Sequence, residues 1–155
     1  MYIYILILFA LLLMLSAFFS SSETAFLNLK HYNKKIPQEI IQFVNKPKRL
    51  LIGLLSGNTI INICIAFLGA YFVHHLTKEF VMSETLLLLI DITFLSIILL
   101  IFGEVVPKVF AMRNSMKVAQ FAYLPLKFIF MLFKPVIFLF HKITILFNSL
   151  IGFQD

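Results

Sequence analysis

Three short stretches of this chain put oxygen-bearing groups where the surrounding sequence carries hydrocarbon. They are Ser20-Ser21-Ser22-Glu23-Thr24, then Gly57-Asn58-Thr59 with Asn62, and Gly103-Glu104-Val105-Val106-Pro107-Lys108. Hydroxyls, amide oxygens and one or two carboxylates make an all-oxygen donor set, which suits a hard cation such as magnesium. Pro107 contributes indirectly: it has no N–H, so it cannot serve the carbonyl four residues back, which belongs to Gly103. A free carbonyl oxygen beside the Glu104 carboxylate is half of a cation site. Asn58 and Asn62 are four apart and share one helix face, while Gly53 and Gly57, also four apart, allow another helix to approach closely. Non-helical backbone at membrane depth is tolerated where it lines a cavity or is buried in protein.

Each stretch alone also has a structural explanation. The serine run could be an ordinary helix end with Glu23 among lipid headgroups, the two amides could only hold helices together, and Gly103 to Lys108 could be a kink with Glu104 paired to Lys108. The three together are more specific than any one of them. Asp91 stands apart, 13 residues from Glu104, or about 20 Å along a helix, and so cannot share one ion with it. An intramembrane acid is a functional hypothesis by default; Asp91 fits an outer vestibule, a coupling-ion site or a hydrogen bond to a neighbouring helix equally well. No serine–histidine or paired-aspartate constellation sits in the apolar runs, so an enzyme is not expected. His74 and His75 fall in a loop, and the single cysteine, Cys64, lies among Ile and Ala as a packing residue. One cysteine excludes an internal disulfide, and no Cys/His pattern suggests zinc.

The elements that must position these groups are helices in a membrane. Of 155 residues 61% are hydrophobic and only 13% charged, with a mean hydropathy of +1.01; a soluble domain is nearer half apolar and a quarter charged. Three runs reach spanning length, at about 2–19, 50–73 and 85–110. The first has no basic n-region and no small-x-small cleavage site, so it reads as a retained helix and not a signal peptide. A run of consecutive serines favours a broken or unwound helix at its end. The basic linker, 30–49, holds Lys30, Lys34, Lys35, Lys46, Lys48 and Arg49, and Pro37 and Pro47 punctuate it around a short helix.

Lysine and arginine number six in that linker, one (Lys78) in the loop after the second run and six from Lys108 onward. Twelve against one puts the N-terminus and the 74–84 loop outside and the long tail in the cytoplasm. The same distribution accounts for the net charge of +6 without nucleic acid. In the tail, Arg113, Gln120, Lys127, Lys134, His141 and Asn148 recur every seven residues, a slowly winding polar stripe on an otherwise apolar helix. A span would hold Lys127 and Lys134 at mid-membrane, at about 2.5–3.5 kcal/mol each. Juxtamembrane amphipathic helices over 113–153, divided at Pro125 and Pro135, let them reach water. A fourth span through 128–150 is the alternative. The expected fold is therefore all-α and integral to the membrane: three transmembrane helices, the first broken, with a juxtamembrane amphipathic helical belt.

The three polar stretches, in this order and separation, resemble the signatures of the CorC/cyclin M (CNNM) magnesium transporters, and the resemblance covers nearly the whole chain as that family's transmembrane domain. It implies a homodimer in the lipid bilayer that exports one dehydrated Mg2+ per protomer, with sodium dependence proposed in some members. Family ligands carry over to Ser20, Asn58, Gly103 through its carbonyl, and Glu104, then to Ser22 and Glu23, then to Asn62; Pro107 is the helix breaker. Family members usually continue into a cytosolic nucleotide-binding CBS pair. This chain stops at Asp155, so nucleotide regulation is not assigned to its residues. A sensor or scaffold that binds magnesium without moving it, and regulates a partner, is the competing reading.

Overall fold

An apolar chain in a bilayer must satisfy its backbone polar groups internally, and helices do this within one segment. The computed structural model describes residues 2–30, 36–45, 47–76 and 83–132; all elements described there are helical. Helix α1 (Tyr2–Leu29) has 28 residues, a length of about 42 Å against a hydrocarbon core of about 30 Å. A short α2 (Gln38–Val44) follows, then α3 (Pro47–Leu76) and α4 (Glu84–Ile98). A π-helical segment, Leu99–Val105, continues α4 directly into α5 (Val106–Arg113), and α6 (Ser115–Leu132) comes after a break at Asn114. Among the described residues three stretches are long and apolar enough to cross a membrane: Ile3–Leu29, Leu50–His75 and Thr85–Arg113. At most 17% of their most apolar windows is buried by protein, so most of their hydrocarbon faces outward, as lipid permits and water does not.

Within the unit that ends at Gln120, α1 is central. It packs against α3 on one side and against the π-helical segment and α5 on another, while α3 also packs against α4. The core is small and lies toward the end where α1 terminates: Ala25, Phe26 and Leu29 of α1, Leu54 of α3 and Ala111 of α5 are buried. There α2 docks through Phe43, whose ring lies 5.9 Å from that of Phe26. Its first turn is closed by Ile40 and Ile41 N–H groups donating to the Pro37 carbonyl at 3.0 and 3.1 Å, so Pro37 starts the helix and Pro47 opens the next. On the far side Ser83 caps α4 by accepting from the Leu86 N–H at 3.3 Å.

The first helix is not broken. It runs through the serines because their hydroxyls return to the helix: Ser21 and Ser22 Oγ donate to the Phe18 carbonyl at 3.1 and 2.6 Å, and Thr24 Oγ1 donates to the Ser20 carbonyl at 3.3 Å. Such back-bonding shares a carbonyl that the helix already uses and leaves the ladder intact. The irregular backbone is in the third span, where seven residues wind as π-helix immediately ahead of Pro107. There the Val106 N–H reaches five residues back, to the Ile101 carbonyl. Nor does Pro125 divide the tail; it sits inside α6. Phe121 and Pro125 are both exposed, so the interruption that a proline makes in the helix ladder is not sealed inside protein. In the second unit, from Phe121 onward, Ala122 and Leu126 are buried and Lys127 Nζ lies 5.7 Å from the Tyr123 ring centroid. Pro135, Lys134, His141 and Asn148 lie outside the described residues.

Candidate functional site

The centre of the polar cluster is a residue that motif spacing did not single out. Ser16 of α1 is fully buried, and its Oγ donates toward Asn58 Oδ1 at 3.0 Å and Asn62 Oδ1 at 2.9 Å, both on α3. A hydroxyl has one proton, so it satisfies only one of the two amide oxygens at a time. Against the other side of Ser16 stands Gly103: a Cβ added there would fall 2.9 Å from Ser16 Oγ and 3.2 Å from Leu99 Cδ2. Glycine at 103 is therefore what lets the π-helical segment close on α1. Gly57 does the equivalent work between α1 and α3, since a Cβ there would lie 2.6 Å from Phe19 Cε1. The two glycines and Ser16 bring three helical segments to one point.

One turn along the same face of α1 lies Ser20, also fully buried. Its Oγ has no hydrogen-bond partner among the described residues, although Ser21 and Ser22 beside it both find the Phe18 carbonyl. A buried hydroxyl without a partner costs about 1–3 kcal/mol and calls for an explanation, such as an ion it serves. Glu104 follows Gly103 in the π-helical segment, half-buried, with no ion-pair partner among the described residues. Lys108, the partner that helical spacing would give it, lies instead 3.8 Å from Glu23 Oε2.

The structure thus sorts the residues that the sequence nominated. Asn58, Asn62 and Gly103 converge on Ser16, with Ser20 one turn away on the same face and Glu104 adjacent to Gly103. Ser22 is buried and its proton is committed to Phe18; two residues on from Ser20, it points about 200° round the helix. Glu23 is engaged with Lys108. Ser16 was legible in principle, because it precedes Ser20 by four residues, the same relation that pairs Asn58 with Asn62. Among the described residues no three His, Cys, Asp or Glu side chains gather as a metal-binding group, so any ion here would rest on neutral oxygens and few charges.

Asp91 occupies a separate place. It packs with Leu95 of α4 against Gly69 of α3, where a Cβ would fall 2.8 Å from Asp91 Oδ2 and also strike Leu95 Cδ1. Gly69 is buried and acts as the notch for this contact, a role that sequence spacing had not suggested. At the end where α1 terminates, Asn28 Nδ2 donates to the Met112 carbonyl at 3.3 Å and to Ser115 Oγ at 3.2 Å, tying α1 to the corner between α5 and α6.

Three spanning helices around a buried, oxygen-rich point, with the third span wound as π-helix beside it, define a polytopic membrane domain with an internal polar site. The chain matches the cyclin M transmembrane N-terminal domain (CNNM) family over residues 6–155, and it belongs to that family. Relatives include the UPF0053 inner membrane protein YfjD of Escherichia coli (strain K12), 28% identical over 151 residues that cover 90% of this chain and 33% of the relative. A UPF0053 protein of Haemophilus influenzae is 26% identical over 156 residues, covering 96% of this chain and 36% of the relative. The chain spans about a third of the length of these curated relatives.

Proposed function

We propose that this domain binds and transports Mg2+, in keeping with a family linked to magnesium transport. The observation that carries the reading is the oxygen spacing at Ser16. Mg2+ takes six oxygens at about 2.0–2.1 Å in near-octahedral geometry, which sets neighbouring ligand oxygens about 3 Å apart. Ser16 Oγ lies 3.0 and 2.9 Å from the two amide oxygens, so rotating the hydroxyl proton away leaves an acceptor at such a spacing from each of them. Ser20 Oγ, the Gly103 carbonyl and a Glu104 carboxylate oxygen bring the number of oxygen groups to six. Magnesium sheds water reluctantly; the Glu104 charge offsets that cost, and the unpartnered Ser20 hydroxyl gains a partner in the ion. Magnesium is the cargo, held in transit.

In this reading the basic linker and tail favour an N-terminus outside and a C-terminus in the cytoplasm; the resemblance to the magnesium transporters supports export from the cytoplasmic side, with sodium coupling as proposed in some members. Three spans are few to enclose a path with two gates, which favours a homodimer in the bilayer. The test is Mg2+ flux in proteoliposomes with binding measured in parallel, on the wild-type chain, Glu104→Ala and Ser16→Ala. Flux and binding lost together in both variants is the expected result. Binding without flux in the wild type would favour a sensor or scaffold, and absence of both would end the ion-site reading.

A further inference from the structure

Two carboxylates flank the oxygen cluster, and their electrical situations differ. Glu23 has its Oε2 3.8 Å from Lys108 Nζ, whereas Glu104, four positions before Lys108, is left without an ion-pair partner among the described residues. Simple spacing favours the opposite pairing. The structure decides otherwise: Glu104 lies at the end of the π-helical segment and Lys108 in α5, and the ammonium makes its contact across to α1. Helix α5 packs on α1, and that brings the ammonium to Glu23.

The Glu23 side chain is only 17% exposed and that of Lys108 40%. A largely buried carboxylate needs a cation close by. A partly exposed ammonium at 3.8 Å is an ion-pair contact too long for a hydrogen bond, so it is easily opened and adds little stability. Lys108 is also only about 6 Å along the helix axis from Glu104, near enough for its charge to oppose a divalent ion held there.

We propose that Lys108 is a counter-cation that sets the affinity of the neighbouring ion site, and that Glu23 draws Lys108 toward α1 and is not a ligand. The proposal rests on the reading of Ser16, Ser20, Asn58, Asn62, Gly103 and Glu104 as a cation site. Its consequences have opposite signs. Neutralising Lys108 removes a repulsive charge and leaves two unopposed carboxylates near the ion, so affinity rises and release slows. Neutralising Glu23 frees Lys108 to swing toward Glu104, so affinity falls. That fall disappears once Lys108 is neutral too, which a ligand role for Glu23 would not allow.

The experiment is equilibrium Mg2+ binding to the full chain in detergent, for wild type, Lys108→Gln, Glu23→Gln, the double variant and Glu104→Gln, with thermal unfolding of each. Lys108→Gln is expected to bind about tenfold more tightly and Glu23→Gln about tenfold more weakly, the scale of one nearby unit charge. The double variant should bind at least as tightly as wild type. A gain of affinity cannot come from misfolding. Unchanged or weaker binding by Lys108→Gln overturns the proposal, as does a double variant as weak as Glu23→Gln. Should the wild type bind no Mg2+, or Glu104→Gln bind as wild type, the failure belongs to the cation-site reading and takes this proposal with it.

Discussion

A single methyl group at position 103 tests whether the approach of the third span to Ser16 builds the site. In Gly103→Ala the added Cβ would sit 2.9 Å from Ser16 Oγ and 3.2 Å from Leu99 Cδ2. Ordinary contact distances are near 3.5 Å, so something must give by about half an ångström. The cheapest movement is rotation of the Ser16 hydroxyl, because the alternative is to displace a helix backbone. Rotation breaks the one hydrogen bond that the Ser16 proton makes to the amide pair, a loss of about 0.5–1.5 kcal/mol in stability. Ion geometry is less forgiving, since functional constellations must be held within about 0.5 Å; a tenfold or greater loss of Mg2+ affinity is expected. The assay pairs calorimetric Mg2+ titration with thermal unfolding in detergent. The matched control is Gly57→Ala, whose Cβ meets the tip of the Phe19 ring at 2.6 Å and should cost stability with a smaller effect on affinity. Wild-type affinity and unfolding temperature in Gly103→Ala would refute the idea that Ser16 and Gly103 form one site.

Other perturbations follow from the same geometry. Ser20→Ala removes a buried hydroxyl that has no partner among the described residues, so the ion-free protein should become more stable by up to about 1–3 kcal/mol while Mg2+ affinity falls; a drop in ion-free unfolding temperature would contradict this. Gly69→Ala drives a methyl into Leu95 and Asp91 and should destabilise the α3–α4 contact by about 1–3 kcal/mol. Adding Leu95→Ala should recover part of that loss, and a purely additive double variant would argue against direct contact. Asn28→Ala deletes the donor to Met112 and Ser115 and should cost about 1 kcal/mol, with protease cleavage near the α5–α6 corner rising; unchanged cleavage would show that the tie is dispensable.

Much of this protein is legible in its sequence. Hydropathy fixes three spans because a bilayer tolerates nothing else over such lengths, and the prolines at 37 and 47 bracket α2 because proline is readily accepted at a helix start. Gly103 and Pro107 marked the third span as irregular for a local reason, a missing N–H. Local chemistry was a poorer guide where two local outcomes compete. A serine run can unwind a helix or bond back to it, and the choice in α1 went to back-bonding because Phe18 and Ser20 carbonyls were within reach. Only tertiary structure decided which oxygens meet. Ser16 lies 42 and 46 residues from Asn58 and Asn62, and in a membrane helix apolar on every side no amphipathic stripe announces which face will pack inward. The pairing of Lys108 with Glu23, and not with Glu104, is of the same kind: it follows from where α5 rests on α1, which is not written in the spacing of charges along the chain.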